Sequence, residues 1–345
     1  MEILSLINKY DTVNMFESIK NFPNQFSLLN KIDKDLVLKH KYKDINRVLV
    51  LGMGGSAIGA DIFQDMFKDD LNISIDVNRG YSLPKWLNKN TLVIAYSYSG
   101  NTEETINALN SCSDDISKII VSSGGKLLKI ANIQNLDYVK IPGGEQPRAA
   151  LGYSISSYIG LFSKLGFLDN NICCKIVEVA KNIKFFTKDI VNDNSYVLSI
   201  AKQLFNKLPI IYSENESTKS IGIRFANQLQ ENGKILAYSS VLPELNHNEI
   251  EGYQSDKLVL DNIVILWLIG YNENLQNSNR RDITSDIISS FNIYQNTIRI
   301  DALDRFDYFL KLIHLIDWIS FYCGILNKVN PSPVPQISIL KNKLA

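Results

Sequence analysis

The chain has 345 residues, of which 45% are hydrophobic, so it can build ordinary globular cores and, at about 100–200 residues each, two domains. Lys+Arg and Asp+Glu are both 36, and a zero net charge argues against a general nucleic-acid binder, which would carry a basic surplus. Residues 1–45 read as helical and polar, with a break at Pro23. Their early charges and lack of a long apolar run argue against a signal peptide. Beyond Arg47 the apolar runs 48–51, 73–77, 91–96 and 118–121 alternate with helix-like segments at 56–67 and 103–109. Strands alternating with helices predict a parallel sheet covered on both faces. Residues 150–205 read as mostly helical. The alternation then returns more loosely, with strands at 208–212, 235–238, 263–268 and 297–300 and a helix at 217–230. The run 263–269 is too short to span a bilayer and reads as a buried strand. The polar stretch 272–282 reads as a surface loop, and 305–326 as one long helix. Three prolines make 327–335 a loop, and 336–344 a short terminal helix. The expected organisation is an N-terminal helical segment 1–45, a first α/β domain 46–165 and a second 166–345. Cys112, Cys173, Cys174 and Cys323 form no C-x-x-C pair, and three histidines give no zinc-ligand spacing. They read as reduced thiols of a cytoplasmic protein, with no metal and no membrane association expected.

Two turns carry chemistry. Gly52-Met53-Gly54-Gly55-Ser56 follows the first strand and opens a helix, where glycine lets backbone approach a ligand and free N–H groups attract an anion. Alone it is equally a tight structural turn, or a dinucleotide loop of G-x-G-x-x-G/A type. The turn Ser97-Tyr98-Ser99-Gly100-Asn101-Thr102 follows the third strand and leads into Glu103-Glu104-Thr105. Its hydroxyls and amides converge at one helix start, and hydroxyls bind phosphate oxygens without adding charge. Ser122-Ser123-Gly124-Gly125 is a third such loop. In an open parallel sheet these loops lie where ligands bind, at strand C-terminal ends.

The S-x-S-G-x-T turn preceded by GMGGSA resembles a sugar isomerase (SIS) domain. Pro142 to Ala150 (PGGEQPRAA), Asn227 to Asn232 (NQLQEN) and Pro243 to Glu249 (PELNHNE) resemble the bifunctional phosphoglucose/phosphomannose isomerases, from about residue 45 to the C-terminus. The resemblance implies an α/β chain of two SIS domains, each a flavodoxin-like, doubly wound parallel sheet flanked by helices. It implies an aldose–ketose isomerase of sugar 6-phosphates that needs no metal or redox cofactor. Phosphate would sit on Ser56, Ser97, Ser99 and Thr102, with Gly55 and Gly100 permitting close approach. Glu231 would be the base that moves a proton between carbons 1 and 2. Arg148 would steady the enediolate, His247 would open the ring, and Lys341, or Lys343 two residues on, would assist. In this family the histidine comes from the neighbouring subunit, so a homodimer is implied.

His247 sits in a polar loop and suits proton transfer at neutral pH, whereas His40 reads as solvated and His314, at apolar spacing in a long helix, as core. Glu244 and Glu249 are rival carboxylates close to the same motif. Asn330-Pro331-Ser332-Pro333 stands where the family often has D-P-T-P, so Ser332 keeps the hydroxyl and loses a methyl. Room near that loop is linked in the family to use of mannose as well as glucose phosphate. Gly233-Lys234 acquires no role from the resemblance. Two other readings stand beside it. One is a non-catalytic sugar-phosphate sensor, which would not need Glu231, Arg148 and His247 together. The other is a nucleotide-dependent oxidoreductase, with Asp76 as the acidic residue about 20 positions past the glycine loop.

Overall fold

The computed structural model describes residues 2–191 and 195–344. They form two compact units, one of residues 21–182 and one of residues 1–20 with 183–345. The expected segment 1–45 is therefore shared between the units, and their division falls inside the helix Ile172–Ile190.

Unit 21–182 is built on a parallel sheet of β1 (Arg47–Leu51), β2 (Ser74–Asn78), β3 (Thr91–Tyr96), β4 (Ser117–Ser122) and β5 (Asp137–Lys140), in the order β2-β1-β3-β4-β5. β1, β3 and β4 are buried almost throughout. Helices cover both faces of such central strands, which is why they read as unbroken apolar runs. The other unit holds β6 (Leu208–Glu214), β7 (Tyr238–Leu242), β8 (Ile263–Leu268) and β9 (Tyr294–Ile298), ordered β7-β6-β8-β9 and again all parallel. The second sheet thus repeats the first four positions of the first.

Edge strands differ from expectation. β7 and β9 lie at 238–242 and 294–298 instead of 235–238 and 297–300, and both are mostly half-buried, so their sequences carry little apolar signal. The stretch 272–282 is no loop: the helix Leu275–Ser289 begins there, capped by Asn274 accepting from Gln276 N. That helix is polar on most of its surface and buries Asn277, Thr284 and Ile288, so its periodicity is weak. Pro23 does not break a helix but starts one, Phe22–Gln25, because a first-turn position loses no hydrogen bond to proline.

The helix Arg305–Leu326 is long and apolar enough to cross a membrane by composition, yet 89% of its most apolar window is buried within the protein. It is the core helix of its unit, with Trp318 edge-on to Phe16 and Phe321. His314 lies in this core. Trp318 Nε1 donates to His314 Nε2 at 3.0 Å, and Thr187 Oγ1 lies 2.7 Å from the same nitrogen. A nitrogen that accepts must be unprotonated, and burial pushes the imidazole down to about 3. In the unfolded chain this histidine titrates near 6.5. Below that pH the unfolded chain binds a proton that the folded one refuses. Stability should therefore fall by about 1.4 kcal/mol per pH unit as pH drops from 6.5 towards 3. Urea midpoints measured at several pH values should show this slope, and His314→Gln should lose it; equal slopes would rule out a neutral buried imidazole.

Candidate functional site

In unit 21–182 the strand order reverses between β1 and β3, and the turns after these two strands diverge there. An open α/β sheet binds ligands at such a point. Met53 is extended and the helix Gly54–Phe67 begins directly after it, with Ser56 buried in its first turn. Tyr158 Oη donates to Ser56 O at 3.1 Å and fixes that turn from behind. After β3, Ser97 Oγ accepts from Gly100 N at 3.1 Å and lies 2.7 Å from Thr102 Oγ1, while Ser99 Oγ accepts from Asn101 N at 3.2 Å. Thr102 precedes the helix Glu103–Asn110 but its side chain does not cap it; the hydroxyl turns to Ser97 instead. Glu103 and Glu104 already complement the helix dipole, so the hydroxyls and turn amides are the groups left to hold an anion.

The third loop, 122–125, has a different task from the other two. Ser123 Oγ donates to Tyr98 O at 2.6 Å, Ser122 Oγ donates to Gly124 O at 3.0 Å, and Leu127 N donates to Gly100 O at 3.0 Å. Its hydroxyls bond backbone and buttress the Ser97–Thr102 turn from outside. Gly100 has φ +71°, and a Cβ there would lie 1.9 Å from Gly124 O, so only glycine allows this packing. Gly55 plays a similar part: a Cβ on it would lie 3.0 Å from Pro147 O. The glycine loop thus abuts the 3-10 turn Pro147–Ala149, which carries Arg148, itself 5% exposed. Glu145 N donates to Tyr98 Oη at 3.1 Å and ties the preceding loop to the hydroxyl turn. Five of the expected residues, Gly55, Ser56, Ser97, Gly100 and Thr102, together with Arg148, are buttressed parts of one unit; Ser99 is exposed at its rim.

Glu231 belongs to the other unit. The helix Lys219–Gln228 passes into the π-turn Leu229–Gly233, which carries it. π-turns inside helices recur at functional sites because they redirect a side chain. Asn232 is fully buried and its Nδ2 donates to Ser320 Oγ at 3.0 Å, and Asn327 Nδ2 donates to Gly233 O at 2.9 Å. Both partners fasten the turn to the end of the core helix. One helical turn earlier, Arg224 NH2 donates to both carboxylate oxygens of Asp317 at 2.8 and 2.7 Å, and Gln228 Nε2 adds a bond of 2.9 Å. This buried pair is absent from the expectations above; Asp317, a charge inside an apolar helix that must find a partner, is its signal in the sequence. Glu231 opens onto a cleft of about 640 Å³ lined also by Asn227, Gln230, Lys234, Asn330 and Pro333, a volume within the usual range for small-molecule sites.

His247 ends the 3-10 turn Glu244–His247 and is exposed, with no side-chain hydrogen bond among the described residues. Lys341 and Lys343 lie on the helix Pro335–Leu344, which buries no residue; its first turn lines the Glu231 cleft through Pro335, Gln336 and Ile337, and neither lysine does. Of the rival carboxylates, Glu249 accepts from Tyr212 Oη at 2.7 Å and Glu244 from Asn248 Nδ2 at 3.3 Å. Asp76 lies mid-strand, opposite Leu49, with Oδ2 3.4 Å from Arg47 Nε. It does not stand at the strand end where a ribose-binding acid belongs. Among the described residues no group of three or more His, Cys, Asp or Glu could hold a metal ion.

Residues 194–344 match the bacterial phospho-glucose isomerase C-terminal SIS domain. The chain is 39% identical over 335 residues to a bifunctional phosphoglucose/phosphomannose isomerase of Caldicellulosiruptor bescii, covering 96% of this chain and 99% of the relative. It is 29% identical over 332 residues to the enzyme of the same description from Aquifex aeolicus, covering 96% and 98%. The fold is shared with a solved hypothetical protein of Thermus thermophilus, with a TM-score of 0.73 at 15% identity over 99% of this chain and 92% of that one. The chain therefore belongs to the family of bifunctional phosphoglucose/phosphomannose isomerases, built from two SIS domains.

Proposed function

We propose that this protein interconverts glucose 6-phosphate and mannose 6-phosphate with fructose 6-phosphate through an enediolate. The observation that carries the reading is Glu231, held on a fastened π-turn and lining a cleft of about 640 Å³, in a chain of this family. Its carboxylate takes the proton from carbon 2 of the aldose. The C–H electron pair becomes the double bond between carbons 1 and 2, the carbonyl π pair moves onto oxygen 1, and negative charge develops on the adjacent oxygens. The hydroxyl proton of oxygen 2 passes to oxygen 1, and Glu231 returns its proton to carbon 1, giving the ketose. Arg148 steadies that charge with a planar, always-protonated guanidinium. Ser56, Ser97, Ser99 and Thr102 hold the phosphate, with Gly55 and Gly100 letting backbone come close. His247 opens the sugar ring and is supplied by the second copy of a cytoplasmic homodimer. Lys341 assists the ring step. No metal or redox cofactor takes part.

The test is a coupled assay: fructose 6-phosphate is supplied without added metal or NAD, and product is read through glucose-6-phosphate dehydrogenase. Turnover is expected, and mannose 6-phosphate should be consumed when offered instead. Tight binding of the sugar phosphate with no turnover would mark a sensor and end the isomerase reading.

A further inference from the structure

We propose that Lys234 is a positioning residue for this reaction, clamping the turn that carries Glu231 to the proline loop that lines the same cleft. The inference rests on the reading of Glu231 as the base. Most of Lys234 is exposed, as lysines usually are, but its ammonium is not simply solvated. Nζ donates to Glu231 O and to Pro333 O, the latter at 2.5 Å, and lies 3.5 Å from Pro331 O. These carbonyls belong to segments 97 and 99 residues away and to the base residue itself. An ammonium has three donors, and here three carbonyls face it.

Two features of the chain explain why a lysine is needed. The loop holds Pro331, Pro333 and Pro335, which lack N–H groups and cannot build a backbone ladder. A side-chain donor from outside must therefore hold its carbonyls in place. Within the loop, Ser332 N donates to Asn330 Oδ1 at 3.0 Å, and Asn330 Nδ2 donates to Thr12 Oγ1 at 2.7 Å. Second, Glu231 O lies at the C-terminal end of a helix, where a cation is favoured. Lys234 itself takes the left-handed conformation, φ 57° and ψ 34°, which suits glycine best. Retaining lysine there keeps a backbone cost that the ammonium's bonds offset. Glu231 and Lys234 line the cleft together with Asn330, Pro333 and Val334 of the loop. Tying the two segments together fixes the position of the base relative to the loop.

Lys234→Gly tests this directly. It removes the ammonium and suits the left-handed backbone, so the fold is kept. The expected result is a kcat for fructose 6-phosphate lowered on the order of 10–100-fold, the cost of misplacing a reacting group by about an ångström, with KM changed by less than about threefold. Lys234→Arg, which restores a cation, should recover part of the loss. A merely structural lysine would lower the thermal midpoint without lowering kcat per folded molecule. Wild type and Glu231→Gln are run beside it. If wild type turns over, Glu231→Gln is inactive and folded Lys234→Gly keeps the wild-type kcat, the clamp is overturned while the base assignment stands. If Glu231→Gln keeps full rate, the underlying reading fails first.

Discussion

Glu231→Gln should lower kcat for fructose 6-phosphate by about 10²–10⁴-fold, the range that a positioned acid or base contributes. Glutamine preserves the shape and removes the basic oxygen. The surrounding turn is fastened through Asn232 to Ser320 and through Gly233 to Asn327, so the variant should fold, and its thermal midpoint serves as the control. KM should move little, because the proposed phosphate anchor, Ser97 and Thr102, is untouched by the substitution. A variant with full rate would falsify the base assignment. Glu249 would be a poor replacement, since it already accepts from Tyr212, and Glu244 would be examined next.

Asp317→Ala should destabilise the protein by about 3–5 kcal/mol, because it strands the buried Arg224 guanidinium. Both side chains are almost fully buried, at 2% and 4% exposed, so water cannot replace the lost carboxylate. The pair also anchors Gln228, the last residue before the turn that carries Glu231, so remaining activity should fall with stability. Urea unfolding measures the first effect. Replacing both partners, as Arg224→Met with Asp317→Leu, should restore much of the stability, since a packed apolar pair avoids the desolvation cost. A loss under about 1 kcal/mol in Asp317→Ala would place the anchor of this helix elsewhere.

What the sequence revealed follows burial. β3 and β8 are read at their true ends because nearly every residue is apolar and both faces are covered. β7 and β9, half in solvent, are read several residues off, and β5, four residues with a polar start and end, is not read at all. The helix Leu275–Ser289 escapes because it buries so little. In the site the same logic applies to chemistry. The Ser97–Thr102 turn is legible as a turn because three hydroxyls and a glycine stand between a strand end and a helix start. The different task of Ser122 and Ser123 is not, since a serine that binds backbone spells the same as one that binds a ligand. Glu231 is singled out in the sequence by the residues around it, but the π-turn under it leaves no periodic trace. Lys234 looks like any surface lysine until the fold brings Pro331 and Pro333 to its tip.

The buttress behind Gly100 bears on how tightly a substrate can be held. Bonds from residues 123 and 127 already fix the backbone of the Ser97–Thr102 turn, so a phosphate held there, as proposed, would meet a receptor in its final shape. Ordering a loop on binding costs free energy, and here folding has met that cost for the backbone beforehand. More of the attraction between a phosphate and the turn would then remain as affinity. Under the proposed function, the end of the substrate away from the chemistry would thereby restrict the motion of the sugar while its proton is moved.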